Sequence, residues 1–534
     1  MLLAVIGSAD FAPEVSLSRI SQKIAIFVIG TALGAGGCVS HAQAQKSGQQ
    51  QKTSSSAKES HPVPPERSSI TRHVLTLNGQ TLHYTATAGT LLIRNKKGEP
   101  YGSMFYVAYT LDGAKPDTRP VTFLYNGGPG SASLWLHMGS VGPVRVITDS
   151  PKATGGAPYK IVPNQYSLLD KTDLVFIDAP LTGYSRAVGT GTTKDFNGVD
   201  QDLKAFTRFI TRYITVNQRW NSPKFLMGES YGTTRSAGLV AMLQNNGVTM
   251  NGVILVSSIL NYNDLAPGQN VDYVGYLPSY AAIAYYYNKL KNKPADMMAF
   301  LDQVRAFAGG PYAEALWEGD RISPQKFNAI AQQVADYTGL SVQYVKDSNL
   351  RIDPSRFRKE LLRNQGEILG RYDARFEGTD VDNVGATPGH DPSDSGITGA
   401  FVAAFNSYVE TDLKYTTKQT YRLSSEGIRT WDWSHHASGE RGFWNQRWPD
   451  VAVDLADAIR KDPHLQVFSA NGLYDLATPF YKTEYDISQM MLAPKLVHNV
   501  QFHYYPSGHM IYLNVEALKM LTHDLDGFYS SLSQ

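Results

Sequence analysis

The sequence predicts an α/β protein: a mainly parallel central sheet, helices on both faces, and a mostly helical cap inserted before the last strands. Three observations carry that expectation. Short apolar runs (Val121 to Tyr125, Leu174 to Ile177, Phe225 to Met227, Val253 to Val256) alternate with helix-length segments such as Val199 to Thr215. A glycine-flanked serine directly follows one of these runs. Two further strand-like runs, Leu465 to Ala470 and Val500 to Tyr505, come only after a gap far longer than a bare sheet-and-helix core needs.

The elements follow in chain order. Arg19 and Lys23 precede an apolar stretch, Ile24 to Gly37, that is too short to span a bilayer. Ala42-Gln43-Ala44 offers a small-x-small cleavage site, so residues 1–44 are read as a signal peptide. Cys38, the only cysteine, sits in an imperfect lipoprotein cleavage box with alanine in place of the usual leucine. Cleavage after Ala44 is favoured over a lipid anchor at Cys38, and it leaves a mature chain with no disulfides, stabilised by its core alone. Export without cysteines points to a bacterial periplasm or exterior. Residues 45–69 are rich in Gln, Ser, Lys and Pro and are expected to form a disordered linker.

From Ile70 to Thr110 apolar and polar residues tend to alternate, and Asn78-Gly79 marks a hairpin, which predicts antiparallel strands leading into the sheet. Residues 70–260 are read as the first part of the core. Residues 261–435 are read as the cap, with helical runs at Tyr280 to Leu290, Ala295 to Ala308 and Pro324 to Tyr337. Residues 436–534 complete the core. The 49 basic side chains balance 48 acidic ones, giving a formal net charge of +1, so nucleic acid and anionic membrane surfaces are not expected as partners.

The chemistry lies in the motifs. Gly228-Glu229-Ser230-Tyr231-Gly232 has the G-x-S-x-G spacing of a nucleophile elbow, a tight strand-to-helix turn that lifts the serine hydroxyl clear of the backbone. Asp475 and His509 each follow a strand-like run, and the order Ser, Asp, His is that of α/β-hydrolases. Histidine titrates near neutrality and can take the Ser230 proton, while a buried carboxylate at Asp475 would fix its tautomer. Singly, Asp475 could merely cap a turn and His509 could be a loop residue; their order and placement favour catalysis. The run Val121 to Tyr125 leads into Asn126-Gly127-Gly128-Pro129-Gly130-Ser131, whose glycines let a backbone N–H approach a substrate oxygen; the residue after the serine, Tyr231, would give a second donor. The loop lacks the G-K-[ST] ending of a phosphate-binding loop. His435-His436 lacks a partner at metal-ligand spacing, so no metal is expected, and the chemistry needs no cofactor. Trp431-Asp432-Trp433 and Trp444 could stack on a substrate or pack between cap and core.

With these motifs in place the chain resembles the serine carboxypeptidases. Asn126-Gly127-Gly128-Pro129-Gly130 matches that family's N-G-G-P-G. Asp178 to Ser185 is similar to its D-x-P-x-G-x-G-[FY]-S stretch, one residue shorter and without the first glycine. Gly228 to Gly232 matches G-E-S-Y-A/G, Asn471 to Asp475 resembles the segment carrying its aspartate, and Gly508-His509-Met510 matches G-H-M. The resemblance runs from about Ile70 to the C-terminus and is poor between Ser230 and Asp475. It implies Ser230 as nucleophile, His509 as base then acid, Asp475 as its orienter, and the N–H groups of Gly128 and Tyr231 as the oxyanion hole. It also implies Asn126 and Glu229 as ligands of a peptide substrate's terminal carboxylate. A second glutamate, which in the family shares a proton with the first, is replaced here by Ser140. Without that like-charged neighbour, Glu229 is expected to ionise at neutral pH and to repel a substrate carboxylate unless something compensates. The reading is a secreted carboxypeptidase. An esterase or acyltransferase with the same triad is the alternative, and a non-catalytic binding protein is a third reading.

Overall fold

The computed structural model describes residues 61–532 apart from 267 and 440–444. The expected signal peptide (1–44), Cys38, most of the expected linker and Trp444 lie outside the described residues. Among those described, the linker expectation overshoots. His61 and Gly189 exchange backbone hydrogen bonds of 2.9 Å, Glu66 pairs with Arg212 at 3.0 Å and accepts from the Leu92 N–H at 2.8 Å, and the first strand begins at Ser68. Backbone pairing and one ion pair, rather than apolar burial, fasten this polar segment, so its composition gave no sign of order.

Ten strands form one sheet: β1 (Ser68–Leu77), β2 (Gln80–Arg94), β3 (Pro100–Leu111), β4 (Val121–Tyr125), β5 (Asp173–Ile177), β6 (Arg186–Ala187), β7 (Lys224–Ser230), β8 (Gly252–Ser258), β9 (Gln466–Gly472) and β10 (Val500–Tyr505). The order is β1-β2-β3-β5-β4-β7-β8-β9-β10, with β6 paired to β3. The pairs from β1 to β5 along this order are antiparallel, as the Asn78-Gly79 hairpin requires; those from β5 to β10 are parallel. Parallel strands covered on both faces need apolar residues at every position, and β4, β5 and β8 are buried throughout.

Successive side chains go to opposite faces. Leu124, Met227 and Ile254 enter one core with Leu521, Leu525 and Phe528; Phe123, Leu226 and Val253 enter the other with Phe206, Phe209 and Ile210. A short α1 (Leu134–Gly139) follows β4, and the second set comes from α2 (Val199–Val216), which buries Leu203, Phe206, Ile210, Tyr213 and Ile214 along one stripe. Beside it lies α3 (Tyr231–Asn245), which starts directly after β7.

Between β8 and β9 the chain is mostly helical, including α4 (Val271–Tyr286), α5 (Met297–Phe307), α6 (Pro324–Thr338) and α7 (Thr398–Thr411). α5 and α6 start close to where the sequence suggests, since Asp296 and Ser323 cap them through their side chains. α4 begins ahead of the expected Tyr280 and carries Pro278 in its interior, a residue that usually ends a helix pattern. A third core joins α4, α5 and α6 to Leu473, Leu476 and Phe480 beyond β9. The segment after α7 returns across the body, with bridges Ser131–Ser424, Gly183–Arg422 and Gly198–Asp432. No described helix is long and apolar enough to cross a membrane.

Candidate functional site

Ser230 is the last residue of β7 and the cap of α3, with φ +61° and ψ −129°. A non-glycine residue at such a φ is strained, and strain of this kind persists where the surroundings hold it. The Tyr231 N–H that follows opens α3, so no carbonyl one turn earlier in the helix can accept from it. Ser230 itself is half-buried, whereas Glu229 and Tyr231 on either side are buried.

The glycine loop after β4 lies directly against this turn. A Cβ on Gly127 would fall onto the amide nitrogens of Tyr231 and Gly232, so only glycine allows this approach. Gly128 has φ +104°, and the Gly127 carbonyl accepts from the Ser131 N–H at 3.0 Å. Arg235 of α3 helps hold the loop: its guanidinium donates to the Asn126 carbonyl at 2.7 Å and pairs with Asp202 of α2 at 2.6 Å, fully buried. Removing one member of such a pair leaves an uncompensated buried charge, at a cost of about 3–5 kcal/mol.

Asp475 and His509 are brought together from the loops after β9 and β10. The His509 Nδ1 lies 2.7 Å from the Asp475 Oδ2, both residues being buried. Asp475 also accepts from the N–H groups of Ala477 and Thr478 at 2.7 and 3.0 Å and from the Thr478 hydroxyl at 2.7 Å. The Ser257 hydroxyl donates to the His509 carbonyl at 2.6 Å, and the neighbouring Ser258 is register partner of Ser230. The histidine loop is thus fastened to the strand beside the serine. Burial pushes the His509 imidazole down. The Asp475 carboxylate more than offsets this with help from Glu229, against Arg371, and the net shift is upward.

Asn126 and Glu229 meet as well. The Asn126 Nδ2 donates to Glu229 Oε1 at 2.7 Å, and Asn126 Oδ1 accepts from the Leu136 N–H at 2.9 Å. Glu229 Oε2 has no hydrogen bond of good geometry among the described residues, although the Tyr512 hydroxyl stands beside it. Burial, with the Asp475 charge nearby, raises the Glu229 carboxyl to about 7 against the opposing effects of His509, Tyr512 and Asn126. Glu229 therefore titrates near neutrality, well above the usual carboxylate range, with burial the main cause and no second glutamate involved. Ser140 does not substitute for the absent glutamate. It is fully buried and its hydroxyl turns back onto the Leu136 carbonyl.

Several residues of the site escaped sequence reasoning. Thr478, Ser257 and Tyr372 act through contacts between distant segments; Tyr372 accepts from the His509 N–H at 2.6 Å and holds its ring 5.2 Å from the imidazole. The histidine pair and the tryptophans take structural places. His435 bridges Asp200 and Asp454 at 2.7 and 2.9 Å, and His436 reaches Asp200 at 2.9 Å. Trp431 and Trp433 pack edge-on against Tyr231, under the serine turn. Among the described residues no group of three or more His, Cys, Asp or Glu side chains is arranged to hold a metal ion.

Comparison with known proteins agrees with the motifs. A family model described as serine carboxypeptidase matches residues 79–359, a span that holds Asn126, Gly128, Glu229, Ser230 and Tyr231 and ends before Asp475 and His509. Serine carboxypeptidase-like 33 of Arabidopsis thaliana is 24% identical over 151 residues, 28% of this chain and 30% of that protein. Pheromone-processing carboxypeptidase KEX1 of Cryptococcus gattii is 34% identical over 113 residues, 21% of this chain and 16% of that protein; its namesake from Yarrowia lipolytica is 26% identical over 226 residues, 41% and 34%. The matched stretches thus span about a third or less of these curated relatives. The solved structure of KEX1(delta)p, a prohormone-processing carboxypeptidase from Saccharomyces cerevisiae, superposes with a TM-score of 0.49 at 15% identity, covering 84% of this chain and 91% of that one.

Proposed function

This chain belongs to the serine carboxypeptidase family, with its α/β-hydrolase fold, and on that premise we propose that it hydrolyses the C-terminal bond of peptides through an acyl-enzyme on Ser230. The observation that carries the reading is that a strained Ser230 turn, the glycine loop packed on it and a His509–Asp475 pair tied to the neighbouring strand all sit at the carboxyl ends of the parallel strands. In this reading Ser230 Oγ attacks the scissile carbonyl while His509 Nε2 takes its proton. Asp475 holds the Nδ1–H and stabilises the imidazolium. The developing oxyanion is received by the N–H groups of Gly128 and Tyr231. His509 then protonates the departing amino group; water, deprotonated by the same imidazole, attacks the acyl-serine and frees the shortened peptide. Asn126 and a protonated Glu229 would receive the substrate's terminal carboxylate.

A second reading, hydrolysis or transfer of acyl groups from esters by the same triad, is favoured by one feature: the hydroxyl that replaces the family's second glutamate faces Leu136, not Glu229. Fluorophosphonate labelling tests the nucleophile, since wild type should label and Ser230→Ala should not; equal labelling refutes the triad. N-blocked dipeptides with free and amidated C-termini, beside a matched ester, separate the two readings. Turnover of the ester alone would favour the second. Export is part of the proposal, supported by the leader-like residues 1–44, and N-terminal sequencing of the secreted protein would check it.

A further inference from the structure

The loop of residues 370–376 is wedged between the two loops that carry Asp475 and His509. Leu476 N–H donates to the Arg371 carbonyl at 3.0 Å, Ala374 N–H to the Tyr474 carbonyl at 3.0 Å, and His509 N–H to the Tyr372 carbonyl at 2.6 Å. Its anchor is Arg375, which pairs with Asp373 at 2.6 Å and donates to the Pro506 carbonyl at 3.1 Å. Nearby Arg358 is also engaged, donating to the carbonyls of Leu369 and His390 at 2.8 and 3.2 Å.

Arg371 differs from both. Its guanidinium lies 5.3 Å from the centre of the Tyr372 ring, with the Tyr372 hydroxyl beside it; the carboxylates of Asp391, which accepts from the Arg371 backbone N–H at 2.9 Å, and Asp475 act on its charge, but neither forms an ion pair with it among the described residues. It is near enough for its charge to act on both His509 and Asp475. Arg371, Tyr372 and Ser230 are partly exposed, whereas Asp373, Asp475 and His509 are buried. A guanidinium presents five N–H donors in a planar fork that matches a carboxylate, and here no protein carboxylate takes them up.

We infer that Arg371 is a specificity-determining residue that receives a substrate carboxylate beside the reacting bond, either the terminal one or that of an acidic side chain flanking it. The inference rests on the proposed Ser230–His509–Asp475 chemistry. It supplies the compensating cation that a chain with Ser140 in place of a second glutamate needs in order to hold an anionic substrate.

The test compares wild type, Arg371→Gln and Arg371→Lys on N-blocked dipeptides. One contrast is free acid against amide; the other is Glu against Gln next to the scissile bond, both as amides. Arg371→Gln should raise KM for the carboxylate-bearing member of one contrast about tenfold or more, with kcat nearly unchanged, and leave the uncharged member unaffected. Collapse of the first contrast identifies the terminal carboxylate; collapse of the second identifies the side chain. Unchanged contrasts, or an equal loss of kcat on all substrates, would overturn the assignment. Should Arg371→Gln not fold, Arg371→Lys keeps the cation without the fork and should weaken the same contrast by at least about threefold; no change sinks the inference. Fluorophosphonate labelling accompanies each assay. A wild type that neither labels nor turns over any substrate refutes the catalytic reading, whereas one that does both with unchanged contrasts refutes only the role of Arg371.

Discussion

Asn126 Nδ2 donates to Glu229 Oε1 at 2.7 Å, joining the glycine loop to the serine turn through a carboxyl raised to about 7. Below that pH the carboxyl is neutral and can donate to a substrate carboxylate; above it the carboxylate repels one. KM for free-acid peptides should therefore rise as pH increases through about 7, while KM for the matching amides stays flat. Glu229→Gln should flatten the free-acid profile. A free-acid KM that is independent of pH in wild type would contradict this assignment.

The upward shift of His509 sets the other side of the pH profile. Catalysis needs the neutral imidazole, so kcat/KM should rise with pH through an apparent pKa above the ordinary histidine value. Ester substrates without a carboxylate isolate this limb, because Glu229 then has no anion to repel. A midpoint well below the ordinary value would show that Asp475 is not offsetting burial.

Asp475→Asn should lower kcat by roughly 10³–10⁴-fold with KM changed only a few-fold, since the neutral amide can no longer hold the required tautomer. Thr478 bonds both the Asp475 carboxylate and, at 3.1 Å, the imidazole nitrogen. Thr478→Val should cost less, on the order of tenfold in kcat, through loosened orientation. Steady-state kinetics on one blocked dipeptide checks both.

Gly127→Ala drives a methyl into the amides of Tyr231 and Gly232 and must displace the loop. Loss of one oxyanion donor is expected, with kcat down about 10²–10³-fold. Burst kinetics with an activated ester should show slowed acylation, and a melting curve would show how much of the fold yields with it.

His435 is a buried imidazole held between Asp200 and Asp454, with His436 sharing Asp200 and Lys204 at its edge. Burial works against its charge, but the two carboxylates raise it to about 9. A folded-state value above the unfolded one stabilises the fold at low pH, and that contribution disappears as pH climbs from about 6.5 to 9. His435→Gln should therefore lose about 2–3 kcal/mol at pH 6 and little at pH 10. Urea unfolding at both pH values measures it, and equal losses would rule out a charged His435.

Much of this site could be read from the sequence because its elements are local. Val121 to Tyr125 and Phe225 to Met227 look like buried strands, and the glycines that follow mark the tight turns after them. Asp475 and His509 could be found because each follows a strand run. The charge of Glu229 could not be read, because it depends on desolvation by segments far away in sequence and not on its neighbour at Ser140. Arg371 and Tyr372 left no pattern either: their importance arises where an irregular loop meets Leu476 and His509, and no periodicity encodes such a meeting. The start of β1 at Ser68, ahead of Ile70, is not legible, because Ile70 and Val74 face solvent and the alternation is weak there.

The chain between β8 and β9 is stitched to the body at its far end by the bridges at Ser424, Arg422 and Asp432, and α4 to α6 share a core with Leu473, Leu476 and Phe480. A segment fastened at several points is poorly placed to swing as one body. For the peptide hydrolysis proposed above, the length and bulk of the chain behind the scissile bond, more than any opening motion, should then set which substrates react.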